Sequence, residues 1–64
     1  MKGEVLEKID GSQIEVLTEP YPVQTEDGQT YYVLVSWLNG SSADSLDQLN
    51  LDHLVIYWKR LRDS

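Results

Sequence analysis

Apolar and polar positions alternate through the first half of the chain, in short runs separated by turn residues. Residues 5–9 read VLEKI and residues 13–17 read QIEVL, with Asp10-Gly11 between them. An Asp-Gly pair between apolar runs predicts a hairpin, because both residues tolerate positive φ. In the second run Ile14 and Val16 share one face while Gln13 and Glu15 point away, the pattern of a half-buried strand. Pro20-Tyr21-Pro22 is expected to end regular pairing, since proline cannot donate to a ladder. Asp27-Gly28 predicts a second turn. The strand after it puts Tyr31, Val33, Val35 and Trp37 on one face and Tyr32, Leu34, Ser36 and Leu38 on the other. Apolar residues on both faces predict a central strand covered on both sides. The first half therefore predicts a three-stranded antiparallel meander.

The last third admits two readings. As a helix, residues 51–62 line up Leu51, Leu54, Val55, Trp58 and Leu61 on one stripe at i, i+3, i+4, i+7 spacing. Asn50 or Asp52 would cap its start, and Lys59, Arg60 and Arg62 would sit at its end, where a helix dipole favours cations. As a strand, LVIYW (54–58) is a short run rich in β-branched and aromatic residues, which periodicity alone does not exclude. A strand there would give a five-stranded barrel of the SH3 or Sm type. The stripe and the basic end favour the helix. The expected fold class is thus α+β: a small curved three-stranded sheet closed by a C-terminal helix, with Leu54, Val55, Trp58 and Leu61 packed on the sheet. Ile56 and Tyr57 lie off that stripe.

Sixty-four residues make a single domain, 1–64, with a marginal core. Such a core rarely supplies more than roughly 3–5 kcal/mol. There is no cysteine, so neither a disulfide nor a thiolate metal site adds to it. No apolar run approaches the roughly 20 residues of a membrane span, and MKGEVLEKID lacks the apolar core of a signal peptide. The expectation is a soluble intracellular domain, or a piece of a longer protein.

Charge changes the picture more than length does. Residues 1–58 carry ten acidic groups against two lysines, a net of −8, while residues 59–64 carry a net of +2. A body this acidic repels phosphate, so direct nucleic-acid binding is not expected. No chemistry converges on a reactive centre. His53, the only histidine, has no nucleophile or carboxylate partner that the sequence names. Asp44 and Asp47 lack calcium-loop spacing, and Glu26 and Asp27 belong to a turn. No glycine-rich phosphate loop is present. Asn39-Gly40-Ser41 fits the N-glycosylation pattern, which is common by chance. The chain is expected to be no enzyme and to need no cofactor or metal.

One family resemblance runs through these residues. YYVLVSW (31–37), then a polar loop, SLD (45–47) and NLDHLVIYWKRL (50–61) resemble the chromodomain superfamily, in which a three-stranded sheet is crossed by a C-terminal helix. VLEKI is similar to that family's opening Glu-Lys-Ile. Ala43-Asp44 and the aliphatic-then-aromatic LVIYWKRL are closer to the chromoshadow branch. The family's methyl-lysine readers use a cage of three aromatic rings. Trp37 matches one wall of it. The regions matching the other two read Met1-Lys2-Gly3-Glu4 and Gly40, without a ring, so the cage is degenerate.

The resemblance implies a non-catalytic protein-interaction module of a nuclear chromatin or gene-silencing factor. It implies a homodimer, or pairing with a related partner, through the C-terminal helix. The residues expected to meet the partner are Leu54, Ile56, Tyr57, Trp58 and Leu61. An apolar surplus on so small a protein supports the same expectation. Two other readings stand beside it: a small acidic inhibitor that mimics nucleic acid, and an SH3-like accessory subunit of a larger complex.

Overall fold

The structure is a computed structural model that describes residues 1–62. Six strands and one short helix follow in the order β1 (Val5–Lys8), β2 (Gln13–Val16), β3 (Tyr21–Thr25), β4 (Gly28–Trp37), β5 (Leu46–Asn50), α1 (Leu51–Tyr57) and β6 (Trp58–Arg62). All strands belong to one antiparallel sheet in the order β3-β4-β2-β1-β6, with β5 paired to β4 off that path. This overturns the expected α+β architecture. The sheet has six strands rather than three, and among the described residues it is not closed, so it is not the five-stranded barrel either.

The first hairpin forms as its turn chemistry dictates. Gly11 takes φ 93°, and the Asp10 carboxylate accepts the Ser12 N–H at 2.9 Å. Val5 then faces Glu15, and Leu6 faces Ile14. Asn39 clamps this turn to the end of β4: its Oδ1 accepts the Gln13 N–H, and its Nδ2 donates to the Gly11 carbonyl, both at 3.0 Å. The side chain of the glycosylation-like Asn39-Gly40-Ser41 is thus occupied in holding the fold.

The ten-residue strand β4 pairs with three others, as a central strand does, but it is not covered on both sides as expected: Val33 and Val35 are buried on one face, while Tyr32, Leu34 and Ser36 on the other are only half-buried and Leu38 is exposed. It pairs with β3 over Gly28–Tyr32, with β2 over Val35–Trp37, and with β5 over Tyr32–Ser36. Pro22 does not end pairing as expected. It sits within β3, opposite Tyr31, because β3 is a border strand of the sheet and its outer side needs no N–H donor. The strand β5 escapes the pattern for a different reason. LDQLN has no period-two alternation, and Leu46 is exposed; the ladder to β4 holds it extended.

The C-terminal segment is helix and strand in succession. Asn50 caps α1 by accepting the Asp52 N–H at 2.8 Å, one of the two capping residues expected. The helix ends after seven residues, when Trp58 turns to extended backbone at φ −115°, ψ 141°. From there Trp58 pairs with Lys8, Lys59 with Glu7, and Arg60 with Leu6, completing the open side of β1. Ladder bonds to β1 replace further helical turns, and the β-branched and aromatic character of the segment suits that exchange. The basic cluster therefore lies on a strand. No basic residue occupies the last turn of α1.

The core gathers Leu6, Ile14, Val16, Val33, Val35, Leu54 and Trp58, with Trp37 and Leu49 packed against it. Of the four residues expected on the sheet, Leu54 and Trp58 are buried. Val55 and Leu61 are exposed, because the stripe that would align them needs helical turns that stop at Tyr57.

Candidate interaction surface

Burial leaves a group of large apolar side chains outside. Ile56 is 68% exposed, Tyr57 59%, and Ile9 fully exposed. Ile56 and Tyr57 stand in the last turn of α1. Ile9 stands at the β1–β2 turn, where the hairpin swings it out of the ladder. These two places are neighbours because β6 returns from α1 to pair with β1. Between them opens a cleft of about 500 Å³, with Trp58 as the buried residue of its lining.

The cleft lining includes two of the five basic residues. Lys8 and Lys59 line it, with Glu7 as its one carboxylate among the described residues. The Lys8 ammonium stands 5.4 Å from the centroid of the Trp58 ring, within cation–π range, and 3.9 Å from the Asp10 carboxylate. Glu7 is partly committed, accepting from the Gln13 side-chain amide at 3.1 Å. The indole N–H of Trp58 is buried and has no hydrogen-bond partner. A buried donor left unsatisfied costs about 1–3 kcal/mol. Two hydrogen bonds from Ser12, backbone first and hydroxyl second, hold the Asp10 carboxyl below the usual aspartate range.

Trp58 also borders a smaller hollow of about 150 Å³ on its other side, with Met1, Glu4, Val55 and Arg60. The buried Glu4 pairs there with Arg60 and with the Met1 amine at 3.4 Å, and that amine lies 3.9 Å from Glu19 as well. Open strand borders offer less. The outer side of β3 carries Pro22, and the Gln48 N–H of β5 is taken by the Asp47 carboxylate at 2.7 Å.

The expected partner-binding residues divide accordingly. Ile56 and Tyr57 stand free at the cleft, and Trp58 forms its buried side. Leu54 lies in the core, 2% exposed, and Leu61 is exposed on β6 apart from the cleft lining. Ile9 is the site residue that sequence reading missed: VLEKI read as a continuous strand hides it, and the Asp10-Gly11 turn beside it was the signal. Trp37 packs edge-on against Trp58, with ring centroids 5.9 Å apart, and its indole N–H donates to Asp47 at 3.3 Å. His53 lies one turn before Tyr57, their ring centroids 4.8 Å apart.

Among the described residues no cluster of three or more His, Cys, Asp or Glu side chains is placed to hold a metal ion, and no helix is long and apolar enough to cross a membrane. Family models, curated proteins and solved structures give no match to the chain.

Proposed function

We propose that the chain is a non-catalytic protein-interaction module whose binding face is the cleft rimmed by Ile9, Ile56 and Tyr57. The observation that carries this reading is the grouping of three exposed apolar side chains, from two distant parts of the sequence, around the larger concavity. Contiguous exposed apolar surface on a small protein marks interaction sites, and aromatic residues such as Tyr57 dominate interface energetics. A core this small also gains from surface buried against another chain. The chromatin and nuclear setting rests on the family resemblance alone.

The test compares the wild-type chain with Ile56→Glu, a substitution at a position that contributes little to the core. Sedimentation at high micromolar concentration measures self-association, and affinity capture measures association with other proteins. Whichever association the wild type shows is expected to vanish in Ile56→Glu, while the circular dichroism spectrum stays unchanged. A charge buried unpaired in an interface costs several kcal/mol, against the roughly 8 kcal/mol of a micromolar complex. No association of either kind, or association indifferent to Ile56→Glu, would remove the reading.

A further inference from the structure

We propose that Asn39-Gly40 is a site of spontaneous covalent modification, deamidation through a succinimide, and that the fold suppresses it by fixing the Asn39 amide to the β1–β2 turn.

The sequence supplies the reactive pair. Asn39 and Asn50 are the two asparagines of the chain, and only Asn39 precedes a glycine. A following side chain crowds the backbone nitrogen that must attack, as Leu51 does after Asn50. Glycine leaves that nitrogen open and lets the backbone take the shape the ring needs. Gly40 also lies in an exposed loop, and a Cβ built on it would meet nothing within 4 Å, so water reaches the peptide.

The chemistry balances with water as co-reactant. The deprotonated Gly40 nitrogen attacks the side-chain carbonyl carbon of Asn39, and a carbon–nitrogen bond forms there. The bond from that carbon to Nδ2 breaks, and Nδ2 leaves as ammonia with the proton that the Gly40 nitrogen gave up. Water then opens the succinimide at either carbonyl. One product carries aspartate at position 39, and the other an isoaspartyl link that runs the backbone through the side chain. Nothing is oxidised or reduced.

In the folded chain both polar atoms of the amide are engaged elsewhere. Oδ1 accepts the Gln13 N–H and Nδ2 donates to the Gly11 carbonyl, both at 3.0 Å. The backbone entering the loop is fixed as well, because the Leu38 N–H donates to the Gln13 carbonyl at 2.9 Å. To close the ring, the side-chain carbon has to swing from the neighbouring turn towards the next nitrogen of its own chain. Both clamp bonds open first, so the reaction runs from a locally opened state.

Neither product rebuilds the clamp. A carboxylate accepts from Gln13 but has no N–H for the Gly11 carbonyl. The isoaspartyl link adds a methylene to the backbone where the loop leaves β4. The turn released in this way carries Ile9 and Gly11, which line the cleft, so a change at position 39 reaches the cleft rim.

Incubation of the wild-type chain at mildly alkaline pH, folded and in denaturing urea, tests the suppression by peptide mass mapping. The mass gain of amide turned to acid is expected at Asn39 and not at Asn50. It is expected to be about tenfold slower in the folded chain, the scale of two hydrogen bonds. No gain at Asn39 in urea, an equal gain at Asn50, or equal rates in both conditions overturns the proposal. Amide hydrogen exchange on Asn39→Asp tests the consequence. Residues 11–13 are expected to exchange faster than in wild type, while Val33 and Val35 keep their protection. Unchanged exchange at residues 11–13 would remove Asn39 as the clamp. The comparison of rates in the wild-type chain decides the suppression even where the variant fails to fold.

Discussion

Ile14 and Ile9 lie five positions apart in one hairpin, yet Ile14 is 0% exposed and Ile9 stands wholly in solvent. The same split separates Val33 and Val35, sealed in the centre of the sheet, from Val55 and Ile56 on the open side of α1. Residue type does not distinguish the two groups; position relative to the ladders does. The buried set lies where β1, β2, β4 and α1 converge. The exposed set lies where the chain leaves the sheet, at the Asp10-Gly11 turn and in the seven-residue helix. One group makes the fold, and the other is left over from it.

Breaking the buried side of this comparison should have the largest effect. Ile14→Ala is expected to cost about 2–5 kcal/mol, most of what so small a core supplies. Urea denaturation should show a largely unfolded chain, whereas Ile9→Ala should hold its midpoint. A comparable loss from Ile9→Ala would mean that the turn residue packs after all.

Tyr57→Glu acts on the exposed group. It should abolish association through the cleft and leave the fold intact, an effect of several kcal/mol on binding and little on stability. Binding isotherms and thermal melts on the same sample separate the two.

The joint between the regions is held by Asn50. Its Oδ1 caps α1, and its Nδ2 donates to the Thr30 hydroxyl at 3.1 Å, so one side chain ties the helix to β4. Asn50→Ala should cost about 1–2 kcal/mol by denaturant unfolding. Asn50→Asp should recover the cap and, with the Thr30 hydroxyl rotated to donate to its second oxygen, lie closer to wild type than Asn50→Ala.

The smallest expected effect is a pH dependence at the hairpin turn. Ser12 holds the Asp10 carboxyl below its unfolded value. The stability this gives is fully present above the unfolded pKa and is lost as pH falls through the folded one. Asp10→Asn should therefore lower stability slightly at neutral pH, leave it nearly unchanged below the folded pKa, and so flatten the acid limb of the stability profile. A steeper acid limb in the variant would contradict the assignment.

What the sequence made legible follows the range of the forces involved. Asp10-Gly11 and the apolar run of β4 are local patterns, and the turn and the strand appear where they predict, though only one face of β4 is buried. The six-stranded sheet is not local. LVIYW suits helix and strand alike, and the choice is made by the vacant side of β1, distant in sequence. LDQLN becomes a strand through its hydrogen bonds to β4, which no periodicity announces. Pro22 is tolerated in β3 only because that strand is a border. At the candidate site, Ile56 and Tyr57 were visible as apolar residues off the stripe. Ile9 was hidden inside an apparent strand; Leu54 is in the core, as its place on the stripe predicts, and Leu61 is left exposed by the early end of the helix.

The division of apolar residues into a group that makes the fold and a group that serves a partner is tested most directly by the denaturant stability of Ile56→Glu. A charge placed at a truly free position should leave the unfolding free energy within about 0.5 kcal/mol of wild type. A loss of about 2 kcal/mol or more, the scale of a core substitution, would place Ile56 inside the fold and contradict the account.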